Sequence, residues 1–320
     1  MADVSTLRGP VAADRLGRTL AHEHVFIVDP EILLNWRPDW DEDSRVEQAV
    51  ARLTELRGRG IETIFDPTVI GLGRDIKRVR RAAEQVDINI VPATGIYTYD
   101  ELPFFFRYRF PDESGRDPIT DYLVRDITQG IDGTDIRAAF LKCAVDHAGV
   151  TPGVERVLRA VAATHLETGA PVMVHTSVHN DSPEQVQRIM RESGVPLDRL
   201  MIGHVGDMTD VDRLRRLADE GSILGMDRFG IDMLLPTDQR IETLVRMCEL
   251  GYAAQMVLAQ DASCVFDWFD DEIVRTLQPN WHYFHIVDDV IPVLKERGVT
   301  DEQLDAMLVD VPRRFISDGN

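Results

Sequence analysis

Several ionisable residues lie within or at the end of short apolar segments, where burying a charge is costly. His22 and His24 are two residues apart in the segment 19–28, so in a strand both imidazoles project to the same face. Further segments carry one such residue each: Lys142, His175, His204 and Asp261. Imidazole binds zinc, cobalt, nickel and iron, and carboxylate adds a hard oxygen donor. Each residue alone is explained as a hydrogen-bonded core residue, whereas all of them at one edge would form a metal centre.

Lys142 is the most informative of these residues. The chain has three lysines among its 35 basic residues, and this one lies inside the apolar segment 138–145. Desolvation lowers the pKa of a buried lysine and favours the neutral amine. A neutral amine reacts with CO₂ to give a carbamate, whose two oxygens could bridge two metal ions. The alternative is a buried ion pair between Lys142 and a neighbouring acid.

The elements that must position these residues alternate along the chain. Eight apolar, β-branched segments predict strands, at 19–28, 62–70, 89–97, 138–145, 171–177, 200–206, 222–229 and 253–263. Amphipathic helices are predicted at 43–58, 117–130, 152–168, 184–193, 210–218, 236–250 and 286–297. This repeat predicts an α/β protein, a single (β/α)₈ TIM barrel over residues 1–320, with its site at the C-terminal ends of the strands. The first strand is not followed by a GxGxxG motif, which disfavours a dinucleotide-binding sheet.

Charge and composition exclude several classes of protein. The net charge of −20 disfavours nucleic acid or an anionic membrane surface as the main partner. No apolar run reaches the roughly 18 residues of a membrane span, and the start of the chain does not resemble a secretory signal. The three cysteines form no CxxC pair. We therefore expect a cytoplasmic protein.

The motifs that carry these residues resemble those of a known family. GRTLAHEHV at 17–25 resembles the G-x-T-L-x-H-E-H signature of the phosphotriesterase family of the amidohydrolase superfamily. IFDPTVIGLGRD at 64–75 resembles the second-strand signature of that family. The remaining matches follow in the order of the family: LKC around Lys142, VHT around His175, GHVGD at 203–207, and Gln260-Asp261. The resemblance covers essentially the whole chain, with Ala21 as a mild departure from the signature.

The resemblance implies a binuclear metal site. In it, His22, His24 and Asp261 hold one divalent ion, while His175 and His204 hold the other. Carboxylated Lys142 and a hydroxide bridge the two ions, for which zinc is the first expectation, with iron, cobalt and manganese as alternatives. The bridging hydroxide is the nucleophile, and Asp261 passes its proton to the leaving group.

Loop lengths within this resemblance indicate the substrate. The loop after the seventh strand is short, whereas the one at 262–281 is long and apolar, as in the phosphotriesterase-like lactonases. The resemblance then implies that Tyr97 and Arg228 orient a lactone ring beside the metals. It also implies an apolar pocket for an acyl chain, lined by Cys264, Phe266 and Trp268.

The function expected on these grounds is hydrolysis of N-acyl-homoserine lactones, of the quorum-quenching type, and of related γ- and δ-lactones. Weak organophosphate hydrolysis would accompany it. The alternatives are a primary phosphotriesterase (aryldialkylphosphatase) and a non-catalytic metal-binding barrel. The aromatic segment 97–111 either lines the pocket or forms the interface of a homodimer. Glu23 points away from its histidine neighbours and is interpreted as structural.

Overall fold

A computed structural model describes residues 3–36 and 39–317, and within them eight parallel strands form a nearly closed barrel. Each strand pairs with its sequence neighbour, in the order β1 to β8. The strands are β1 (Thr19–Leu20, continued by His24–Ile27), β2 (Thr63–Asp66), β3 (Asn89–Ile96), β4 (Phe140–Ala144), β5 (Val172–His175), β6 (Leu200–Gly203), β7 (Ile223–Met226) and β8 (Met256–Leu258, continued by Ser263–Phe266). The (β/α)₈ prediction is confirmed.

The barrel closes between the first and last strands, and both differ from their predicted bounds. Each is broken, and the two continuations pair with each other, with Ser263 opposite His24. At the break, the Ala21 N–H donates to the Leu258 carbonyl at 3.4 Å. The sequence pattern does not reveal either break. Apart from Asp261, the residues in both breaks are as buried as the strands beside them. The breaks contain His22 and Asp261, which the irregular backbone places in the barrel mouth.

Helices surround the barrel, and most begin where the sequence predicts. Thr151 caps one of them, its hydroxyl accepting from the Val154 N–H at 3.3 Å. The helices are α1 (Pro30–Trp36), α2 (Glu42–Gly58), α3 (Ile76–Ala83), α4 (Phe104–Arg107), α5 (Pro118–Thr128), α6 (Pro152–Thr168), α7 (Ser182–Glu192), α8 (Val211–Asp219), α9 (Thr237–Glu249), α10 (Asp271–Leu277), α11 (Ile291–Glu296), α12 (Asp301–Asp305) and α13 (Val311–Ser317). The predicted helix at 286–297 begins as a π-helical turn, Ile286–Val290, before α11.

The interior of the barrel is apolar below the level of the predicted site. Phe65 and Phe140 meet there at a ring separation of 5.8 Å, and Phe315 from α13 closes the lower end against both. Met173 and Met201 fill the same layer. This packed plug leaves the opposite, C-terminal end of the strands for polar side chains. Among the described residues, none of the helices has the length and apolarity that crossing a bilayer requires.

Candidate metal centre

His22, His24 and Asp261 converge where the barrel closes. The Asp261 carboxylate places Oδ1 at 3.2 Å from Nε2 of His24 and at 3.5 Å from Nε2 of His22. The two histidines are buried, and Asp261 is 15 % exposed. Their donor atoms lie within 4.8 Å of one another, and two imidazoles with one carboxylate are a typical ligand set for a divalent transition metal. This group therefore fits a metal ion.

Lys142 lies on β4 beside this group. Its Nζ is 3.1 Å from Nε2 of His22, and its side chain is fully buried. Burial lowers the pKa of Lys142 to about 8, in the direction that the sequence predicts. β3 can approach its backbone because residue 95 is glycine: a Cβ there would overlap the Lys142 carbonyl. Far more of this amine is therefore neutral near pH 7 than in an exposed lysine, and carbamate formation requires the neutral form.

His175 and His204 form the second half of the site. Their rings lie 4.4 Å apart in an edge-to-face arrangement, and the His204 ring is 4.9 Å from that of His22. Burial lowers the pKa of His175 to about 4 and that of His204 well below its usual value. Both imidazoles are therefore neutral at physiological pH, which leaves each a nitrogen lone pair for a cation.

The two nitrogens of His175 already have neighbours. Nε2 contacts the Asp146 carboxylate, while Nδ1 lies 3.1 Å from the Tyr97 hydroxyl and 3.4 Å from Nη2 of Arg228. A cation bound by His175 must displace a neighbour from one of these nitrogens. In this respect the second half of the site is less open than the first.

Asp227 holds two of the histidines, and sequence reasoning missed this role. Its Oδ2 accepts from Nδ1 of His22 at 3.0 Å, and its Oδ1 from Nδ1 and the backbone N–H of His204, both at 2.9 Å. Because a carboxylate only accepts, each Nδ1 carries the hydrogen and each Nε2 is left as a donor to a metal. The signal was present in the sequence, since Asp227 directly follows the apolar run of the seventh strand.

Asp66 and Thr68 give His24 the same support. The Thr68 hydroxyl donates to Asp66, so it accepts the Nδ1–H of His24 at 2.7 Å. Nε2 of His24 is then the nitrogen free to face Asp261. Both supporting residues belong to the IFDPT motif at the end of β2, which the sequence analysis used only as a resemblance.

Arg228 and Tyr97 stand beside these groups at the ends of β7 and β3. Nε of Arg228 donates to Oδ2 of Asp261 at 3.3 Å, and its Nη1 donates to Asp207 at 3.1 Å. Burial opposes the charge of Arg228, but Asp207 and Asp261 outweigh it and raise the pKa. Burial and the neighbouring Tyr99, whose hydroxyl is 2.7 Å away, raise the pKa of Tyr97 well above its usual value.

Three of the site residues adopt a left-handed backbone conformation. His204 and Arg228, just beyond the ends of β6 and β7, have φ angles of 69° and 60°, and Asp261, in the break of β8, has a φ angle of 52°. Residues with a Cβ disfavour this region by roughly 1–2 kcal/mol each. Such strain persists only where surrounding contacts impose it, and it concentrates at functional sites.

Glu23 imposes that geometry on Asp261. It is completely buried, and its two oxygens accept the backbone N–H groups of Gln260 at 2.8 Å and of Ala262 at 3.1 Å. These two residues flank Asp261. Glu23 is structural, as the sequence analysis states, but what it supports is the turn that presents Asp261 to the histidines.

The site opens into a cavity of about 360 Å³ with one polar and one apolar wall. The polar wall holds the residues described above. The apolar wall includes Leu72, Ile231, Phe266, Trp268, Phe269 and Trp281. A larger cleft, of about 740 Å³, lies on the outside of the barrel against α6 and contains none of the predicted site residues.

Only some of the predicted pocket residues line this wall. Phe266 and Trp268 line the cavity, whereas Cys264 does not. Cys264 lies two residues before Phe266 in the continuation of β8, where it is fully buried and burial raises the pKa of its thiol to about 12. The prediction treats the segment from 262 as a loop, and its unexpected strand character withdraws Cys264 from the substrate side.

The aromatic segment 97–111 lines the cavity only at its start. Tyr97 and Tyr99 line the cavity. Beyond them, four aromatic side chains are more than half exposed on the outer surface: Phe104, Phe105, Tyr108 and Phe110.

Comparisons with known proteins agree with this arrangement. The phosphotriesterase family profile matches residues 2–316. The solved phosphotriesterase from Mycobacterium tuberculosis is 53% identical, with a TM-score of 0.96 over 99% of this chain and 98% of the other. The aryldialkylphosphatase of Saccharolobus solfataricus is 38% identical over 94% of this chain and 95% of its own.

A further solved structure concerns the molecular engineering of organophosphate hydrolysis from a weak promiscuous lactonase template. It is 29% identical, with a TM-score of 0.89 over 99% of this chain and 100% of the other. These matches span nearly the whole chain, and the family to which they point is binuclear-metal dependent. The chain therefore belongs to the phosphotriesterase family and is a metal-dependent hydrolase that acts on ester bonds.

Proposed function

We propose that the protein opens the ring of N-acyl-homoserine lactones and of related γ- and δ-lactones. The observation that carries the proposal is the pairing of the two cavity walls: a polar wall for ester hydrolysis faces an apolar wall of aromatic side chains. A lactone with a fatty acyl chain has the same two halves. Organophosphate hydrolysis is then a weaker side activity at the same polar wall.

In this proposal two divalent ions, with zinc as the first choice, occupy the polar wall. His22, His24 and Asp261 would hold one, His175 and His204 would hold the other, and Lys142, once carboxylated, would supply further oxygen ligands. When bound, two such ions lower the pKa of a shared water and polarise the substrate carbonyl. The donor chemistry fits, because the Asp227 and Thr68 contacts direct Nε2 lone pairs of His22 and His24 toward Asp261.

Asp261 is the proton carrier in the proposal. Oδ1 is directed to the histidines, while Oδ2 is held by Arg228. Burial opposes the ionised form, but the neighbouring histidines outweigh it and hold the pKa of Asp261 well below its usual range. Asp261 therefore starts as a carboxylate, and Oδ2 takes the proton of the attacking water and returns it to the ring oxygen as the C–O bond breaks.

Tyr97 and Arg228 orient the lactone. The raised pKa of Tyr97 keeps its hydroxyl protonated, so it can donate a hydrogen bond to the ring or carbonyl oxygen. Arg228 is fixed between Asp207 and Asp261 and offers a second donor on the same side. Phe266 and Trp268, in mutual contact with ring centroids 5.7 Å apart, then receive the acyl chain.

The comparisons support the proposal and also its main alternative. The lactonase-template structure favours a lactone, whereas the aryldialkylphosphatase relative favours a primary phosphotriesterase. The complete donor set argues against a non-catalytic metal-binding barrel.

A substrate panel distinguishes these three functions. We would measure kcat/KM of the metal-loaded protein on acyl-homoserine lactones of increasing chain length and on paraoxon. Lactones hydrolysed orders of magnitude faster than paraoxon support the proposal. Faster paraoxon hydrolysis makes the protein a primary phosphotriesterase, and full metal content without turnover makes it a binding protein.

We further propose that the protein is a cytoplasmic homodimer whose interface includes the exposed aromatic side chains of the segment 97–111. Phe104 and Tyr108 stack there in parallel at 6.1 Å, both largely exposed, and aromatic residues are enriched at interfaces. Light scattering of the wild type and of Phe104→Ser tests this. A dimer that the substitution dissociates supports the interface, and a wild-type monomer contradicts it.

A further inference from the structure

A second cluster of metal-binding side chains lies outside the barrel mouth, in the segment that leads into α11. His282, His285 and Asp289 each place one ligand atom within 4.8 Å of the other two. Nδ1 of His285 is 2.8 Å from Oδ2 of Asp289, and Nε2 of His282 is 3.5 Å from the same oxygen. None of these residues has a role in the ester-hydrolysis site.

The geometry is close to that of a bound transition metal. Ligands at 2.0–2.2 Å from a tetrahedral zinc ion are roughly 3.3 Å apart. The two measured separations lie within about half an ångström of that value, so small side-chain movements suffice. His285 is buried while His282 and Asp289 are 40 % and 55 % exposed, which leaves the open side to water.

The hydrogen bonds around His285 are compatible with a cation at its Nδ1. The Thr237 hydroxyl donates to Asp232 at 2.7 Å, so Thr237 accepts the Nε2–H of His285 at 3.4 Å. With the hydrogen on Nε2, Nδ1 presents a lone pair to the Asp289 carboxylate and a metal ion between them satisfies both acceptors; with the hydrogen on Nδ1, the ring donates to Asp289 until a metal ion displaces that hydrogen. The Asp232–Thr237–His285 chain resembles the carboxylate support that metal-binding histidines commonly have.

The neighbouring charges favour a cation. Asp288 is next to the cluster, and both of its carboxylate oxygens accept from Nε of Arg59, at 2.9 and 3.0 Å, so the nearby guanidinium is paired with Asp288. The backbone N–H of Phe284 donates to Nδ1 of His282 at 3.3 Å. A metal ion on Nε2 would place the ring hydrogen on Nδ1, so His282 would lose this hydrogen bond. The length of that contact makes it a weak one.

We propose that His282, His285 and Asp289 form a third, separate site for a divalent transition metal such as Zn²⁺. The site clamps the C-terminal end of the long segment after β8. Trp281, beside His282, lines the substrate cavity and donates its Nε1–H to the carbonyls of Gln260 and Asp261 at 3.1 and 3.2 Å. The backbone N–H of Ile286 donates to the Gln260 side chain at 2.8 Å, so the cluster is tied to the strand that carries Asp261.

Zinc counting on the holoenzyme tests the proposal. Equilibrium dialysis against rising free Zn²⁺, with zinc measured by mass spectrometry, is applied to the wild type, His282→Asn, Asp289→Asn and Asp288→Asn. We expect one ion fewer per chain in the first two variants than in the wild type. Asp288→Asn is the matched control, since it removes a neighbouring carboxylate that is paired with Arg59, and it should keep the full count.

A second experiment measures how zinc at this site affects stability and how much the Asp232–Thr237 support contributes to zinc affinity. Added Zn²⁺ should raise the Tm of the holoenzyme and of Asp288→Asn, but not that of His282→Asn. Thr237→Val should weaken the extra zinc about tenfold or more without abolishing it. Equal zinc counts in the wild type and His282→Asn would overturn the proposal. Loss of the ion in Asp288→Asn would also overturn it, because that result would indicate zinc binding to a diffuse acidic surface. Because the counts differ only at this cluster, the result stands whether or not the protein hydrolyses lactones.

Discussion

The two walls of the cavity are built in opposite ways. The polar wall consists of strand ends, and its side chains are buried and held by further side chains: Asp227 holds two histidines and Glu23 holds the turn at Asp261. The apolar wall continues into the segment after β8, where Trp268 and Phe269 are 42 % and 58 % exposed. The polar wall is therefore fixed by the barrel, whereas the part of the apolar wall at Trp268 and Phe269 is far less constrained.

This contrast separates chemistry from selectivity. Damage to the polar wall should reduce hydrolysis of every substrate, because all esters need the same ligands and proton carrier. Damage to the apolar wall should change the preference among substrates and leave the shared chemistry intact.

The largest effect is expected for Lys142→Ala. The substitution removes the amine between the two halves of the site, and loss of even a supporting residue costs metal sites about 10–100-fold, so we expect a larger loss of kcat/KM on lactones and paraoxon alike. Metal analysis should show both ions weakened, and short-chain carboxylates such as acetate should partly restore them. Full metal retention without added carboxylate would contradict the bridging role.

Asp227→Asn should lower metal affinity by about 10–100-fold with the fold intact. The asparagine keeps one acceptor oxygen and replaces the other by an NH2 donor, so it no longer fixes the tautomers of both His22 and His204. Metal titration measures the change, and the exposed Asp212→Asn is the control. Unchanged affinity in Asp227→Asn would show that the polar wall does not depend on this support.

The stability of the metal-free protein should fall on acidification. Burial lowers the pKa of His175 to about 4, below its usual value of about 6.5. Between these values the unfolded chain binds the proton and the folded chain does not, so the free energy of unfolding falls by up to about 1.4 kcal/mol per pH unit from this residue. Urea unfolding at pH 7, 6 and 5 should show it, and His175→Asn should reduce the slope.

Cys264→Ser tests whether Cys264, a residue of the predicted pocket, lies outside that pocket. Burying a hydroxyl in place of the thiol should cost roughly 1–2 kcal/mol of stability. Because Cys264 lies beneath the cavity wall, the ratio of kcat/KM between long and short acyl chains should stay unchanged. A changed ratio of kcat/KM between long and short acyl chains would show that Cys264 does contribute to the substrate pocket.

Much of the polar wall could be predicted from the sequence because each residue interrupts an apolar run at a strand end. His22, His24, Lys142, His175, His204 and Asp261 do meet, as the repeat of strand and helix predicts. Their supports were harder to recognise. Asp227 and Glu23 form hydrogen bonds to residues more than 200 positions away, His22 and Gln260, and the pattern within one strand does not reveal such contacts.

Strand breaks and short elements escaped prediction for a physical reason. The break at Ala21 and the continuation of β8 depend on barrel closure, which brings together residues more than 230 positions apart. α3 has eight residues and four arginines or lysines, so its buried face of Ile76, Val79, Ala82 and Ala83 is too short a pattern to distinguish from a charged loop.

The most direct test compares two lactones in the wild type and in Trp268→Ala at equal metal content. In each protein, the ratio of kcat/KM for decanoyl- to butyryl-homoserine lactone isolates the contribution of the apolar wall, since each buried CH₂ contributes about 0.8 kcal/mol. We predict a ratio well above one in the wild type, which falls several-fold in the variant while butyryl hydrolysis is kept. A parallel loss for both lactones would show that the two walls do not act separately.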